Sequence, residues 1–251
     1  MKLVVGNACL QHGPESTAPL DCLHCAVREI AVCTALSAPE RERLRGIAVT
    51  KSFESGATIF AAEEPTAMVG TVVQGTIKCF KLMVDGRQQV VGFLFPGDFI
   101  GSPTQETTRL FAEALTPVEL CIFPFPAIQR LIREMPNLER RLLQLANNDL
   151  DLAQEWMLLL GRKTAQERLA TFLLLLAQKM RARGGAGDVP QGQIALPMNR
   201  SEIADYLGLT IETVSRQFSK LKAAGHIAIA NNSEVTIRNL DGLTAIAEGA
   251  A

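Results

Sequence analysis

Residues that would mark a hydrolytic enzyme, a membrane protein or a globally basic protein are scarce in this chain. Its 251 residues include three histidines, with no His-Glu pair and no Gly-x-Ser-x-Gly motif, so hydrolytic chemistry lacks its usual residues. Lys and Arg number 25 against 26 Asp and Glu, so any nucleic-acid site must be local. The apolar run at residues 172–176 is too short to span a membrane.

The N-terminus and the cysteine content together indicate a compartment. Residues 1–5 are too short to form the apolar region of a secretory signal. We therefore expect a cytoplasmic protein whose six cysteines are reduced, so metal or redox chemistry is favoured over disulfides.

Three of these cysteines are grouped near the N-terminus. Cys22 and Cys25 have two residues between them, and Cys33 follows after seven more. Ligands that are all thiolates favour zinc or an iron–sulfur cluster. A structural zinc site usually pairs two Cys-x-x-Cys knuckles, and a second knuckle is missing from the sequence. The residues alone leave three candidates for a fourth ligand: Cys9, Cys79 and Cys121.

A long amphipathic helix is predicted after Pro136, without Gly or Pro from residue 137 to residue 160. Two apolar series at intervals of three and four residues indicate two apolar stripes. One stripe can cover the preceding domain and the other can meet a partner helix, although a helix buried on both sides within a monomer gives the same pattern. The stripe assigned to a dimer seam consists of Leu143, Ala146, Leu150, Ala153, Met157 and Leu160.

The segments before and after this helix differ in their sequence patterns. Between residues 50 and 125, short apolar runs separated by glycine turns indicate an antiparallel sandwich or barrel. After an amphipathic helix at 166–183, the pattern at 201–224 predicts two helices joined by a tight turn at Gly208. A hairpin at 227–237 completes a winged helix-turn-helix. The predicted fold is therefore α+β, with domains at residues 1–36 (tail and cysteine segment), 37–134 (β-barrel sensor), 135–163 (dimerisation helix) and 164–251 (winged helix-turn-helix).

The second helix of the helix-turn-helix carries a polar face suited to DNA. Glu212 can accept from cytosine N4, Arg216 can bind guanine, and Ser215 can donate or accept. A solvated face explains such residues in most helices, but the surrounding helix, turn and hairpin favour base reading here. Candidate phosphate contacts are Arg200, Lys220 and Lys222.

With these elements placed, the chain resembles the cAMP receptor protein/FNR superfamily of transcription factors, and most closely its oxygen-responsive branch, the fumarate and nitrate reduction regulators (FNR). The most specific stretch is Tyr-Leu-Gly-Leu-Thr-Ile-Glu-Thr-Val-Ser-Arg at 206–216. Weaker matches lie at residues 75–78, 97–101, 135–138, 158–160 and 167–170.

The resemblance implies a jelly-roll, cyclic-nucleotide-binding-like sensor and a [4Fe–4S] cluster on Cys22, Cys25, Cys33 and Cys121. It also implies a homodimer that binds TTGAT-like palindromes through Glu212, Ser215 and Arg216, with RNA polymerase as a further partner, and no enzymatic activity.

Two departures from the superfamily's patterns concern the ligand and the dimer. The cAMP-binding branch has a glutamate after the motif at 97–101 and an Arg-Ser pair, where this chain has Ser102 to Thr104 and Arg109-Leu110. No cyclic nucleotide is therefore expected. Ala153 stands where the FNR branch carries an aspartate. The alternatives that stay open are a zinc-stapled or thiol-oxidation sensor and an iron–sulfur enzyme or electron carrier.

Overall fold

The computed structural model describes residue 22 and residues 24–182, 192–231 and 233–250. It confirms the α+β prediction, with an antiparallel β-sandwich, a long helix and a winged helix-turn-helix in that order. The sandwich strands are β1 Val49–Phe53, β2 Thr58–Phe60, β3 Met68–Gln74, β4 Ile77–Leu82, β5 Gln88–Leu94, β6 Phe99–Ile100, β7 Phe111–Ala114 and β8 Val118–Pro124. They form two sheets, in the orders β1-β8-β3-β6 and β2-β7-β4-β5, that enclose one apolar core.

The first sheet has a second apolar layer on its outer face. Alternation along β8 directs Leu120 into the sandwich core, and it directs Cys121 and Phe123 to the outer face. That face is covered by a 3₁₀ helix and the helices α1, α2 and α3. Their bounds are Val32–Ala35 for the 3₁₀ helix, α1 Ala38–Arg45, α2 Phe125–Glu134 and α3 Pro136–Arg162.

The long helix α3 has 27 residues and begins at Pro136, as predicted. Leu138 and Leu159 on one side are buried within the chain. On the other side Leu143, Leu150 and Met157 are 61%, 55% and 66% exposed, so α3 is not buried on both sides in the single chain. Of the remaining seam residues, Ala146 and Ala153 are exposed and Leu160 is half-buried.

The helices of the C-terminal part share one apolar core, to which a three-stranded wing also contributes. Its elements are α4 Ala165–Ala182, β9 Gln193–Ala195, α5 Arg200–Leu207, α6 Ile211–Ala223, β10 Ile227–Asn231, β11 Glu234–Ile237 and α7 Leu240–Ala247. Strand β9 and helix α7 had no counterpart in the sequence prediction. Gly208 ends α5 with a φ of 62°, a left-handed conformation that favours glycine and permits the tight turn to α6. Most of the connection predicted at 184–192 lies outside the described residues.

Across the described ranges, none of the helices combines the length and the apolar character that crossing a bilayer requires.

Candidate cysteine site and nucleic-acid interface

The four cysteines assigned by resemblance line one small cavity. Cys22, Cys25 and Cys33 come from the N-terminal segment, and Cys121 comes from the outer face of β8. The cavity has a volume of about 60 Å³, and Ala31, Leu44 and Phe123 supply apolar walls. Two segments far apart in sequence therefore bring four thiols together.

Burial and the neighbouring cysteines raise the pKa of two of these thiols, Cys33 and Cys121. Burial, and then the charges of the other three cysteines, raise the pKa of Cys121 to about 12. The pKa of Cys33 is raised by burial first and by Cys25 next, and the Arg41 guanidinium partly opposes this. Arg28, Arg41 and Arg45 line the same cavity, so the site combines acidic donors with positive charge. A bound cationic group would favour thiolates, and the arginines would offset their negative charge.

The size of the cavity and its four thiols suit an iron–sulfur group of several atoms. A water-sized occupant needs about 10–15 Å³ of such space, so a 60 Å³ cavity has room for several atoms. Four thiolates, one for each iron, form the usual ligand set of a [4Fe–4S] cluster.

Among the described residues, neither Cys79 nor His24 lines this cavity. Cys79 packs with the core between the two sheets, and burial raises the pKa of its thiol to about 12. His24 is exposed, and Cys9 lies outside the described residues.

Helix α6 presents the predicted base-reading side chains to solvent. Thr210 caps it, its hydroxyl accepting from the backbone N–H of Thr213 at 3.2 Å. Val214, Phe218 and Leu221 are buried on the inner side. Glu212, Ser215, Arg216 and Ser219 are exposed on the outer side. The pKa of Glu212 is lowered by its own backbone N–H and by Thr210, so this carboxylate stays ionised as an acceptor.

The three candidate phosphate contacts differ in their surroundings. Lys220 and Lys222 are exposed near the end of α6. Arg200 is half-buried instead, with its guanidinium carbon 3.6 Å from the centre of the Phe218 ring. Desolvation by burial lowers its pKa. Arg200 therefore packs α5 against α6. Its role as a phosphate contact stays a prediction.

Two positioning contacts could not be predicted from the sequence, because they join segments that are far apart in it. Arg168 in α4 donates to the carbonyl oxygens of Leu160 and Leu207, at 2.9 and 3.0 Å, and so links the ends of α3 and α5. Lys78 on β4 lies 3.1 Å from Glu113 and 3.5 Å from Glu202 of α5, with its side chain 7% exposed. The motif at 167–170 contained Arg168, but local periodicity gives no partner for either residue.

A second cavity, of about 1230 Å³, lies between the sandwich, α3 and α4. Ser102 and Arg109, the positions that differ from the nucleotide-binding pattern, line it together with apolar side chains. The seam residues Ala153 and Met157 also border it, so part of this space faces the predicted partner helix.

The sandwich, the long helix and the exposed α6 face together define a DNA-binding transcription regulator. Family models match two parts of the chain: the cyclic nucleotide-binding domain at residues 50–135 and the Crp-like helix-turn-helix domain at residues 167–246. The chain belongs to the CRP/FNR family of transcription regulators. The first match identifies a domain type, and the absence of a cyclic nucleotide ligand stays a prediction.

Named relatives agree with this assignment. The chain is 43% identical over 208 residues to the nitrogen fixation regulation protein FixK of Bradyrhizobium diazoefficiens, covering 83% of this chain and 86% of the relative. It is 37% identical over 219 residues to the transcriptional activator FnrL of Cereibacter sphaeroides, covering 86% and 87%. The solved structure of FixK2 from Bradyrhizobium japonicum matches with a TM-score of 0.74 and 34% identity, over 80% of this chain and 97% of that one. These relatives are transcription regulators and not enzymes, as predicted.

Proposed function

We propose that this DNA-binding transcriptional activator responds to oxygen through a [4Fe–4S] cluster held by Cys22, Cys25, Cys33 and Cys121. The observation that carries the proposal is the meeting of these four thiols, from the N-terminal segment and from β8, at one cavity with room for several atoms. When bound, the cluster supplies a group that dioxygen oxidises and breaks down. The chain's own residues bind that group, surround it with apolar walls and place arginines beside it.

The same proposal assigns the exposed α3 seam to a second copy of the chain. Large apolar side chains that are more than half exposed at heptad spacing are typical of a helix that pairs with another. Two copies related by a two-fold axis would present two α6 helices to successive half-sites. We infer that the sites are TTGAT-like palindromes read through Glu212, Ser215 and Arg216, and that RNA polymerase is the further partner. We also propose that the chain divides into the four domains predicted from the sequence, at residues 1–36, 37–134, 135–163 and 164–251.

A zinc-stapled or thiol-oxidation sensor using the same cysteines is the second candidate. Arginine side chains beside the thiols are the observation on its side, because positive charge promotes thiolates, but burial raises the pKa of Cys33 and Cys121 and opposes this effect. An iron–sulfur enzyme or electron carrier has less support, because the relatives are transcription regulators.

Metal and sulfide analysis separates the candidates. Protein purified under argon should contain iron and acid-labile sulfide and should be brown, and its colour should fade in air. Each of Cys22→Ser, Cys25→Ser, Cys33→Ser and Cys121→Ser should lose most of this iron, because oxygen ligands suit iron–sulfur clusters poorly.

Cys79→Ser is the matched control, and Cys9→Ser is a second one. Both should keep the cluster. Zinc without sulfide in the wild type would support the zinc-stapled sensor. Loss of iron in Cys79→Ser with retention in Cys121→Ser would refute the fourth ligand.

A further inference from the structure

The hydroxyl of Thr71 lies unpaired beside the cysteine cavity. Thr71 on β3 is paired in register with Cys121 on β8, so the two side chains are neighbours on the outer face of the sheet. Thr71 lines the same cavity as the four cysteines and is 3% exposed. Its Oγ1 atom is buried and has no hydrogen-bond partner within the described residues.

An unpaired buried hydroxyl is costly, so its presence here calls for an explanation. Leaving such a group without a partner destabilises the folded state, because the hydroxyl has lost its water and gained nothing in exchange. Valine has nearly the same shape and would avoid this cost. The sheet register places Cys121 opposite Thr71, and a protonated thiol is a weak acceptor. A sulfur that carries negative charge accepts a hydrogen bond far better.

We propose that the Thr71 hydroxyl donates a hydrogen bond to a sulfur atom of the group bound in this cavity, either the Cys121 thiolate or a sulfide next to it. This inference rests on the proposed function. Thr71 is then a positioning residue, because it holds and polarises a sulfur without binding iron. Hydrogen bonds to sulfur adjust the properties of such clusters, and the partners of metal ligands stabilise the bound metal.

The experiment compares Thr71→Val, which removes the hydroxyl, with Thr71→Ser, which keeps it. Thr50→Val is the matched control, because Thr50 pairs with Cys121 from the other side but does not line the cavity. Each protein is loaded under argon, and release of iron to a coloured iron chelator is followed. Thr71→Val should release iron about tenfold faster than the wild type, the size of effect expected for a ligand's supporting partner. Thr71→Ser and Thr50→Val should resemble the wild type.

Two further measurements test a direct bond against a general effect on folding. Iron–sulfur stretching bands in the resonance Raman spectrum should shift when the wild type is transferred to heavy water. The shift should be smaller in Thr71→Val, because the exchangeable hydroxyl proton of Thr71 is missing. The melting temperature of cluster-free Thr71→Val should equal or exceed that of the wild type, because the variant no longer buries an unpaired hydroxyl.

Equal release rates and equal heavy-water shifts in wild type and Thr71→Val would overturn the inference. Faster release together with a lower melting temperature of the cluster-free variant would also overturn it, since Thr71 would then act only in packing. A wild type that binds neither iron nor sulfide would refute the proposed function, which is a separate outcome.

Discussion

Arg141, in the first half of α3, donates a hydrogen bond from Nη2 to the backbone carbonyl oxygen of Ile30, at 3.2 Å. Ile30 in turn packs on the turn between β5 and β6: a Cβ atom added to Gly97 would lie 2.6 Å from Ile30 Cδ1. Gly97 also has a φ of 93°, which favours glycine. The cysteine-bearing segment is therefore held between the sandwich and the helix that carries the dimer seam.

Removal of this link should loosen the cysteine segment. Arg141→Met keeps an apolar stem but loses the charged donor, and such hydrogen bonds contribute about 1.5–3 kcal/mol. Hydrogen exchange of the backbone amides at residues 27–36 should become about tenfold faster or more, since tenfold corresponds to about 1.4 kcal/mol.

Arg140→Met is the control, because Arg140 is the neighbouring arginine and is exposed. Its exchange rates should match the wild type. Equal exchange in Arg141→Met and Arg140→Met would show that the contact does not hold the segment.

Base reading and phosphate binding by α6 can be separated by their dependence on sequence and salt. Arg216→Ala should weaken binding to a TTGAT-like palindrome by about 1–3 kcal/mol and relax the preference at the half-site guanine. Lys220→Ala or Lys222→Ala should weaken binding to all duplexes alike and flatten the salt dependence. Titrations on matched and scrambled palindromes at two salt concentrations measure both effects. If Arg216→Ala kept the full preference for the palindrome, α6 would not be the base-reading helix.

Local patterns predicted the elements well, but they could not predict contacts between distant segments. The apolar residues at intervals of three and four, without Gly or Pro from residue 137 to residue 160, predicted α3, and Gly208 marked the turn before α6. Cys121 could be assigned only by resemblance, because its approach to Cys33 depends on which face of β8 it occupies. The unpaired hydroxyl of Thr71 and the docking of Lys78 on Glu202 depend on sheet register and domain packing, which a single sequence does not display.

Lys78 should be a strong determinant of how the helix-turn-helix docks on the sandwich. Lys78→Met leaves the carboxylates of Glu113 and Glu202 without their shared cation. The loss of one partner from a nearly buried ion pair costs about 3 kcal/mol or more. Trp156 reports on this contact, since it is the single tryptophan and stacks on Tyr206 of α5 with ring centres 3.9 Å apart.

Urea unfolding followed by Trp156 fluorescence is the measurement. Lys78→Met should shift the midpoint to a clearly lower urea concentration. Lys81→Met, at an exposed lysine on the same strand, should leave it nearly unchanged. Equal shifts in the two variants would assign the effect to β4 and not to the ion pair.

The side chain at position 153 should decide how readily the cluster-free protein dimerises. Ala153 is exposed in the single chain and lies at heptad spacing between Leu150 and Met157. An aspartate there would face its twin across a parallel seam, where desolvation and like-charge repulsion both oppose association. Because this chain carries alanine, we expect its cluster-free form to dimerise more readily than family members that carry aspartate. Loss of the cluster in oxygen would then change how the cysteine segment orients α3 more than it would change the dimerisation equilibrium.

Sedimentation of air-exposed protein at equal concentrations tests this expectation. Ala153→Asp should shift the cluster-free protein towards monomer by about 1–3 kcal/mol for each buried unpaired charge. Gln154→Asp adds the same charge one residue away, outside the seam, and should have a much smaller effect. A wild-type protein that stays strictly monomeric without its cluster throughout the micromolar range would contradict the role of Ala153. In that case the exposed leucines of α3 would need the loaded cysteine segment before they could pair.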